Sequence, residues 1–197
     1  MSQVTDKLMT AEEFAEWVGL PENEGKSWEL DRGRLVEMPR PGYKHCLACG
    51  LVTHILQLYA FGRGQGAIAP NDCGLVIAHD PGTVRSPDVM FHLDQQAFDE
   101  ATPKWAEFVP TLVVEVLSPT DRINKTTARI GQYLDRGVPM VWLVDPEVHS
   151  VAIYRPGQFP QVLDNSDELA VGDVLPDFRC QVSDLFRMPG EPAKDTA

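Results

Sequence analysis

The chain has 197 residues, 43% of them hydrophobic and 23% charged, with 15 glycines and 16 prolines. This ordinary globular composition excludes collagen-like, low-complexity and wholly disordered chains, and a chain of this length buries roughly 70% of its unfolded surface without disulfide staples. Seventeen basic against 29 acidic residues give a net charge of −12. That is the wrong sign for a protein that coats nucleic acid through its whole surface, since such affinity comes from neutralising phosphates. An enzyme that meets phosphate through one local basic strip and a bound cation remains open. No apolar run is expected to reach the ~18–20 residues of a membrane-spanning helix. The opening MSQVTDKLMTAEEF lacks a signal peptide's basic-then-apolar layout, so the expectation is a cytoplasmic protein with no membrane partner.

In chain order, residues 10–19 form a first helix: Thr10 and Glu13 fit a capping box, and Phe14, Trp17 and Val18 share a face. WELDRGRLVEM (28–38) reads as two short strands joined at Asp31-Arg32-Gly33. Residues 43–61 form a packed helix, with Leu47, Leu51, Ile55, Leu58 and Tyr59 at three- and four-residue steps, ended by Gly62, Gly64 and Gly66. Strands follow near 66–70 and 73–79, then a turn at Asp80-Pro81-Gly82 and a further strand over VRSPDVMFHL (84–93). Residues 94–109 read as a short helix and a surface loop. TLVVEVLS (111–118) is a near-continuous run of β-formers, the pattern of a central strand buried on both faces.

Ser118-Pro119-Thr120-Asp121 supplies a helix start, and the helix over about 121–136 ends at Gly137. VPMVWLVDP (138–146) and VHSVAIYR (148–155) are strands, the second hairpin-paired, with short strands near 160–163 and 167–171. A strand–helix–strand crossover at 111–145 requires a parallel pair of right-handed connection, so the class is α/β with a mixed sheet. One domain over 1–186 is expected, with 187–197 a polar, frayed tail.

Cys46 and Cys49 make a CxxC, while Cys73 and Cys180 stand alone, so the two-knuckle zinc pattern is absent. On a helix the pair shares a face, and His45 and His54 lie nearby. A metal site and small buried thiols in a reducing compartment are both compatible with this spacing; the second is the reading adopted.

Glu115 stands out. An unpaired carboxylate in the middle of LVVEVLS costs several kcal/mol, so it sits in an ion pair or lines a site where positive charge holds it. Asp88, after Pro87 on another strand, is a second candidate. Two carboxylates on neighbouring strands with a backbone carbonyl are the hard-oxygen surroundings Mg²⁺ prefers.

The segments WELDRGRLVEMP (28–39), His45, SPDVMF (86–91), PTLVVEVLSP (110–119), Tyr133 with Gly137-Val138, and VWLVDP (141–146) occur in that order. Together they resemble the PD-(D/E)XK phosphodiesterase superfamily, and within it the bacterial branch called putative restriction endonuclease-like, from about Trp28 to Phe186. The resemblance implies a restriction endonuclease-like core, a mixed β-sheet flanked by helices. It implies Asp88 as a metal-ligand aspartate, Glu115 as the second carboxylate and the carbonyl of Val116 as a third oxygen on Mg²⁺, with Mn²⁺ as an alternative ion. Glu29 matches an upstream acidic residue and His45 a family histidine.

The superfamily often carries lysine two residues after the second carboxylate; here that residue is Leu117. In similar branches the lysine moves to the next helix, four residues before the tyrosine matching Tyr133. That position is Arg129, and Lys125 lies one turn earlier on the same face. Arginine stabilises charge on phosphate but cannot release its proton near neutral pH. The implied activity is metal-dependent hydrolysis of phosphodiesters in DNA by an endonuclease, with a homodimer as the expected assembly. The competing reading is a weak or inactive nuclease-fold domain that binds nucleic acid or a protein partner. Asp145-Pro146 and Trp142 read as a turn and core, respectively.

Overall fold

The computed structural model describes residues 7–94, 97–119 and 121–191. The elements in chain order are α1 (Ala11–Val18), β1 (Ser27–Asp31), β2 (Arg34–Met38), α2 (Tyr43–Arg63), β3 (Ala67–Pro70), β4 (Leu75–His79), β5 (Gly82–Arg85), β6 (Val89–His92), β7 (Leu112–Val116), α3 (Ile123–Arg136), β8 (Val141–Asp145), β9 (Ser150–Tyr154), β10 (Gln161–Leu163), β11 (Glu168–Ala170) and β12 (Arg179–Gln181). They fall into two compact units. The first takes the chain up to Arg40 with Gly74–Ser86 and Thr102–Glu107; the second takes Pro41–Cys73, Pro87–Ala101 and the chain from Phe108 onward.

In the first unit four antiparallel strands run in the order β2-β1-β5-β4. Thr10 caps α1: its hydroxyl accepts the Glu13 N–H, and the Glu13 carboxylate accepts the Thr10 N–H, the reciprocal box its sequence encodes. This sets Phe14 into a small core with Leu30, Val76 and Val84. The β1–β2 loop is Arg32-Gly33, at φ 50° and 78°, a two-residue hairpin turn with both centres left-handed. Only glycine fits at 33, because an added Cβ would lie 2.5 Å from the Leu8 Cβ.

The second unit holds a six-stranded sheet, β10-β9-β8-β7-β6-β3, in which β7 and β8 are the parallel pair. α3 is the crossover between them, closed by Gly137 at φ 104°. Every residue of β7 is buried, as the two-faced strand pattern requires. One face packs Val89, Phe91, Val114, Val116, Trp142 and Val144 against α2.

Several expectations are corrected. The single strand over 84–93 is two, β5 and β6, in different sheets. Pro87 explains the break: it has no N–H to donate to a ladder and restricts its predecessor. α2 buries Ala48, Val52, Leu56 and Ala60, one residue offset from the expected stripe, and leaves Leu58 exposed. An 18-residue window of this 21-residue helix also reaches a mean hydropathy of 1.3, enough by length and composition to cross a membrane. The stripe packed on the sheet is the pattern of a core helix.

α3 begins two residues later than expected, with Arg122 at its N-cap and no side-chain cap. Asp121 instead closes a turn by accepting the Ser118 N–H at 2.7 Å, and Thr120 lies outside the described residues. The β11–β12 hairpin and the 3₁₀ turn Val182–Phe186 complete the second unit; β12 and this turn lacked a sequence signal. Residues 192–197 of the expected tail also lie outside the described residues.

Candidate active site

The break at Pro87 sets Asp88 at the entry to β6. The β6–β7 ladder pairs Val89 with Val114, so one step further Asp88 lies beside Glu115 and Val116. Asp88 Oδ2 accepts the Val116 N–H at 2.6 Å. Its other oxygen, Oδ1, accepts from His45 Nε2 at 3.0 Å. His45 opens α2, and its Nδ1 lies 3.2 Å from the Ser118 hydroxyl, just past the end of β7.

Both members of the His45–Asp88 pair are only 11% exposed at the side chain. The hydrogen bond to Asp88 holds the imidazolium above the ordinary histidine range, helped by the charges of Asp88 and Asp72 and by the Val116 backbone, and opposed by burial. Positive charge is thus favoured at a spot bounded by Asp88 and Val116.

Glu115 alternates with Val114 and Val116 along β7, so it leaves the face packed on α2 and meets α3 instead. Its Oε2 pairs with Arg129 Nη1 at 3.0 Å, and its Oε1 accepts the Tyr133 hydroxyl at 2.6 Å. The Glu115 side chain is 6% exposed and that of Arg129 23%. Arg129 and Tyr133 are i and i+4 on α3, which aims both at one point.

The expected site residues therefore divide. His45, Asp88, Val116, Glu115 and Arg129 gather at the ends of β6 and β7, each with a named partner. Lys125 is exposed on α3, and no described bond joins its side chain to either carboxylate. Glu29 lies in the first unit, fully buried, where Arg85 Nη1 and the Ser86 N–H each reach its carboxylate at 2.9 Å. Arg85 also pairs with Asp31 at 2.8 Å.

The roles of Tyr133 and Ser118 were missed from sequence. The first was readable from its four-residue spacing to Arg129; the second, a contact 73 residues along the chain from His45, had no local signal. Asp145 is a turn residue, accepting the N–H groups of Glu147 and Val148, and Trp142 is fully buried core.

The donor set suits a hard cation. Asp88, Glu115 and the Val116 carbonyl offer oxygen only, the donor type such an ion takes.

The fold is shared with known proteins. A crystal structure from Anabaena variabilis ATCC 29413, described as a putative nuclease belonging to DUF820, superposes with a TM-score of 0.74 at 24% identity, covering 90% of this chain and 97% of that one. This likeness shows a shared mixed α/β fold, a mixed sheet flanked by helices. No curated protein matches the chain. The family model described as "Uma2: Putative restriction endonuclease" matches residues 11–183, and the chain belongs to that family.

Proposed function

We propose that the protein is a metal-dependent endonuclease hydrolysing phosphodiester bonds in DNA. The observation that carries this reading is the placing of Asp88 and Glu115 at neighbouring backbone positions where β6 begins and β7 ends, with Asp88 bonded to the Val116 N–H and Glu115 paired with Arg129. Asp88, Glu115 and the Val116 carbonyl would hold Mg²⁺ or Mn²⁺. Such a cation polarises a phosphoryl oxygen and lowers the pKa of water.

The chain's own groups supply the rest. Arg129 stays protonated, so it offers charge and directed N–H donors to a phosphate rather than acting as a base. Tyr133 fixes one oxygen of Glu115 and so orients the other. His45, whose charged form the Asp88 hydrogen bond favours, can hold a proton at the mouth of the site, with Ser118 against its other ring nitrogen. The negative total charge is compatible with this chemistry because two local cations face the two carboxylates.

A second reading has its own support. Both carboxylates already have partners, Arg129 and Tyr133 on one and His45 on the other, as in a nuclease fold that binds nucleic acid without cutting. A cleavage assay on single-stranded, duplex and branched DNA, with and without Mg²⁺ or Mn²⁺, separates the two. The endonuclease reading requires metal-dependent cleavage that falls at least a hundredfold in both Asp88→Asn and Glu115→Gln. DNA binding with no cleavage under any of these conditions establishes the second reading.

A further inference from the structure

Cys49 is the part of this region that the proposed reaction leaves unused. It follows His45 by four residues on α2, so the two share a helix face one turn apart. One ligand atom each from His45, Cys49 and Asp88 lies within 4.8 Å of the others. A tetrahedral ion with bonds of about 2.0–2.3 Å spaces its ligands about 3.3–3.8 Å apart, so small side-chain shifts close the set. Burial pushes the Cys49 thiol well above its usual range, with Asp88 the largest charge acting in the same direction; the sulfur is therefore a neutral thiol until a cation displaces its proton.

The surroundings are those of a built ligand set. The second nitrogen of His45 rests on the Ser118 hydroxyl at 3.2 Å, the kind of outer hydrogen bond that fixes the orientation of a metal-binding histidine. The second oxygen of Asp88 is fixed by the Val116 N–H. Beside the three ligands lies a cavity of about 330 Å³, lined also by Cys46, Asn71 and Asp72. It leaves room for a fourth ligand, water or an anionic group.

We infer that His45, Cys49 and Asp88 form a binding site for a borderline-soft divalent transition metal of the Zn²⁺ class. The ion bonds His45 Nε2, Cys49 Sγ and one oxygen of Asp88, and the Sγ–H and Nε2–H protons leave to solvent. A sulfur and an imidazole select such an ion over Mg²⁺, which takes oxygen ligands. The site shares Asp88 with the cation position proposed above but stands without it, since neither Glu115 nor Arg129 takes part.

The test is cobalt spectroscopy on the full chain, stripped with chelator, kept reduced and titrated with Co²⁺ alone. A thiolate-to-cobalt charge-transfer band should grow to saturation at one equivalent and disappear on adding one equivalent of Zn²⁺. Cys49→Ser should lose the band and Cys46→Ser keep it. His45→Gln should weaken cobalt binding at least tenfold, which tests the site without relying on the Cys49 variant to fold. Glu115→Gln should keep the thiolate-to-cobalt band. The inference is overturned by the absence of a thiolate band in the wild type, by a band that survives Cys49→Ser, or by one lost in Cys46→Ser. A chain with the cobalt band but no Mg²⁺-dependent cleavage would refute the endonuclease reading and leave this site standing.

Discussion

Replacing Arg129 by alanine leaves the Glu115 carboxylate, 6% exposed, with Tyr133 and without its cation. Removing one partner of a buried pair typically costs about 3–5 kcal/mol, because the remaining charge stays in poorly solvating surroundings. Two features reduce that figure here. Arg129 is itself 23% exposed, so water enters the space it vacates, and the 2.6 Å bond from Tyr133 is kept. A loss of about 2–3 kcal/mol follows, and in a chain of this size each kcal/mol moves Tm by about 2–4 °C, giving a fall of about 4–12 °C.

Glu115→Gln should cost less, since the neutral amide still accepts from Tyr133 and the partly exposed guanidinium can turn to solvent. The double variant should then be more stable than the sum of the single losses predicts, by about 1–2 kcal/mol. Thermal unfolding followed by circular dichroism at pH 7 measures all four proteins. An Arg129→Ala Tm within 1 °C of wild type, or losses that add to within about 0.5 kcal/mol, would refute the claim that this pair neutralises a buried charge.

Three further outcomes are expected. At ten times its dissociation constant, Mg²⁺ or Mn²⁺ should stabilise the fold by about 1.4 kcal/mol, and Asp88→Asn should remove that gain in a melting experiment. Arg129→Lys should keep or raise metal-dependent cleavage, measured as initial rate on plasmid or oligonucleotide DNA, because it restores the residue type that similar branches carry at that position; a loss as deep as that of Arg129→Ala would count against it. In the first unit, Arg85→Met takes the guanidinium from Glu29, which is 0% exposed and keeps the Ser86 N–H, and should cost about 3–5 kcal/mol by urea unfolding, whereas a loss below about 1 kcal/mol would show that the pair contributes little.

What could be read from the sequence was local. The α1 capping box, the Arg32-Gly33 hairpin and the β7–α3–β8 crossover each rest on residues a few positions apart, where periodicity and turn chemistry act directly. The partition into two sheets was not legible, because strand-forming residues stand on both sides of Pro87 in 84–93 and only that proline marks the change. Glu115 announced itself by its cost of burial. Its partners did not, since Arg129 and Tyr133 are 14 and 18 residues away, and their approach depends on how the crossover helix lies against β7. The His45–Asp88 bond spans 43 residues and joins the start of a helix to the start of a strand. The sequence places His45 one turn from Cys49 on α2, but the approach of Asp88 to both depends on the fold.

The charge balance bears on the proposed contact with DNA. With a net charge of −12, the surface as a whole repels a polyanion, so contact must come from few cations. Arg122, Lys125 and Arg129 lie along α3 and its approach, and Arg129 alone is committed to Glu115. Each phosphate neutralised on duplex DNA contributes about −0.9 to the slope of log affinity against log salt. Two or three such contacts give a slope of about −2 to −3, far shallower than the roughly −10 of a protein that grips many phosphates. Fluorescence-anisotropy titrations of duplex DNA with Asp88→Asn, which should bind without cutting, over a range of NaCl concentrations would measure it. Lys125→Ala should make the slope shallower by about one contact, while leaving Glu115 and its partners in place. A slope steeper than about −5 would mean that DNA rests on a basic surface elsewhere, and α3 would lose its part in binding.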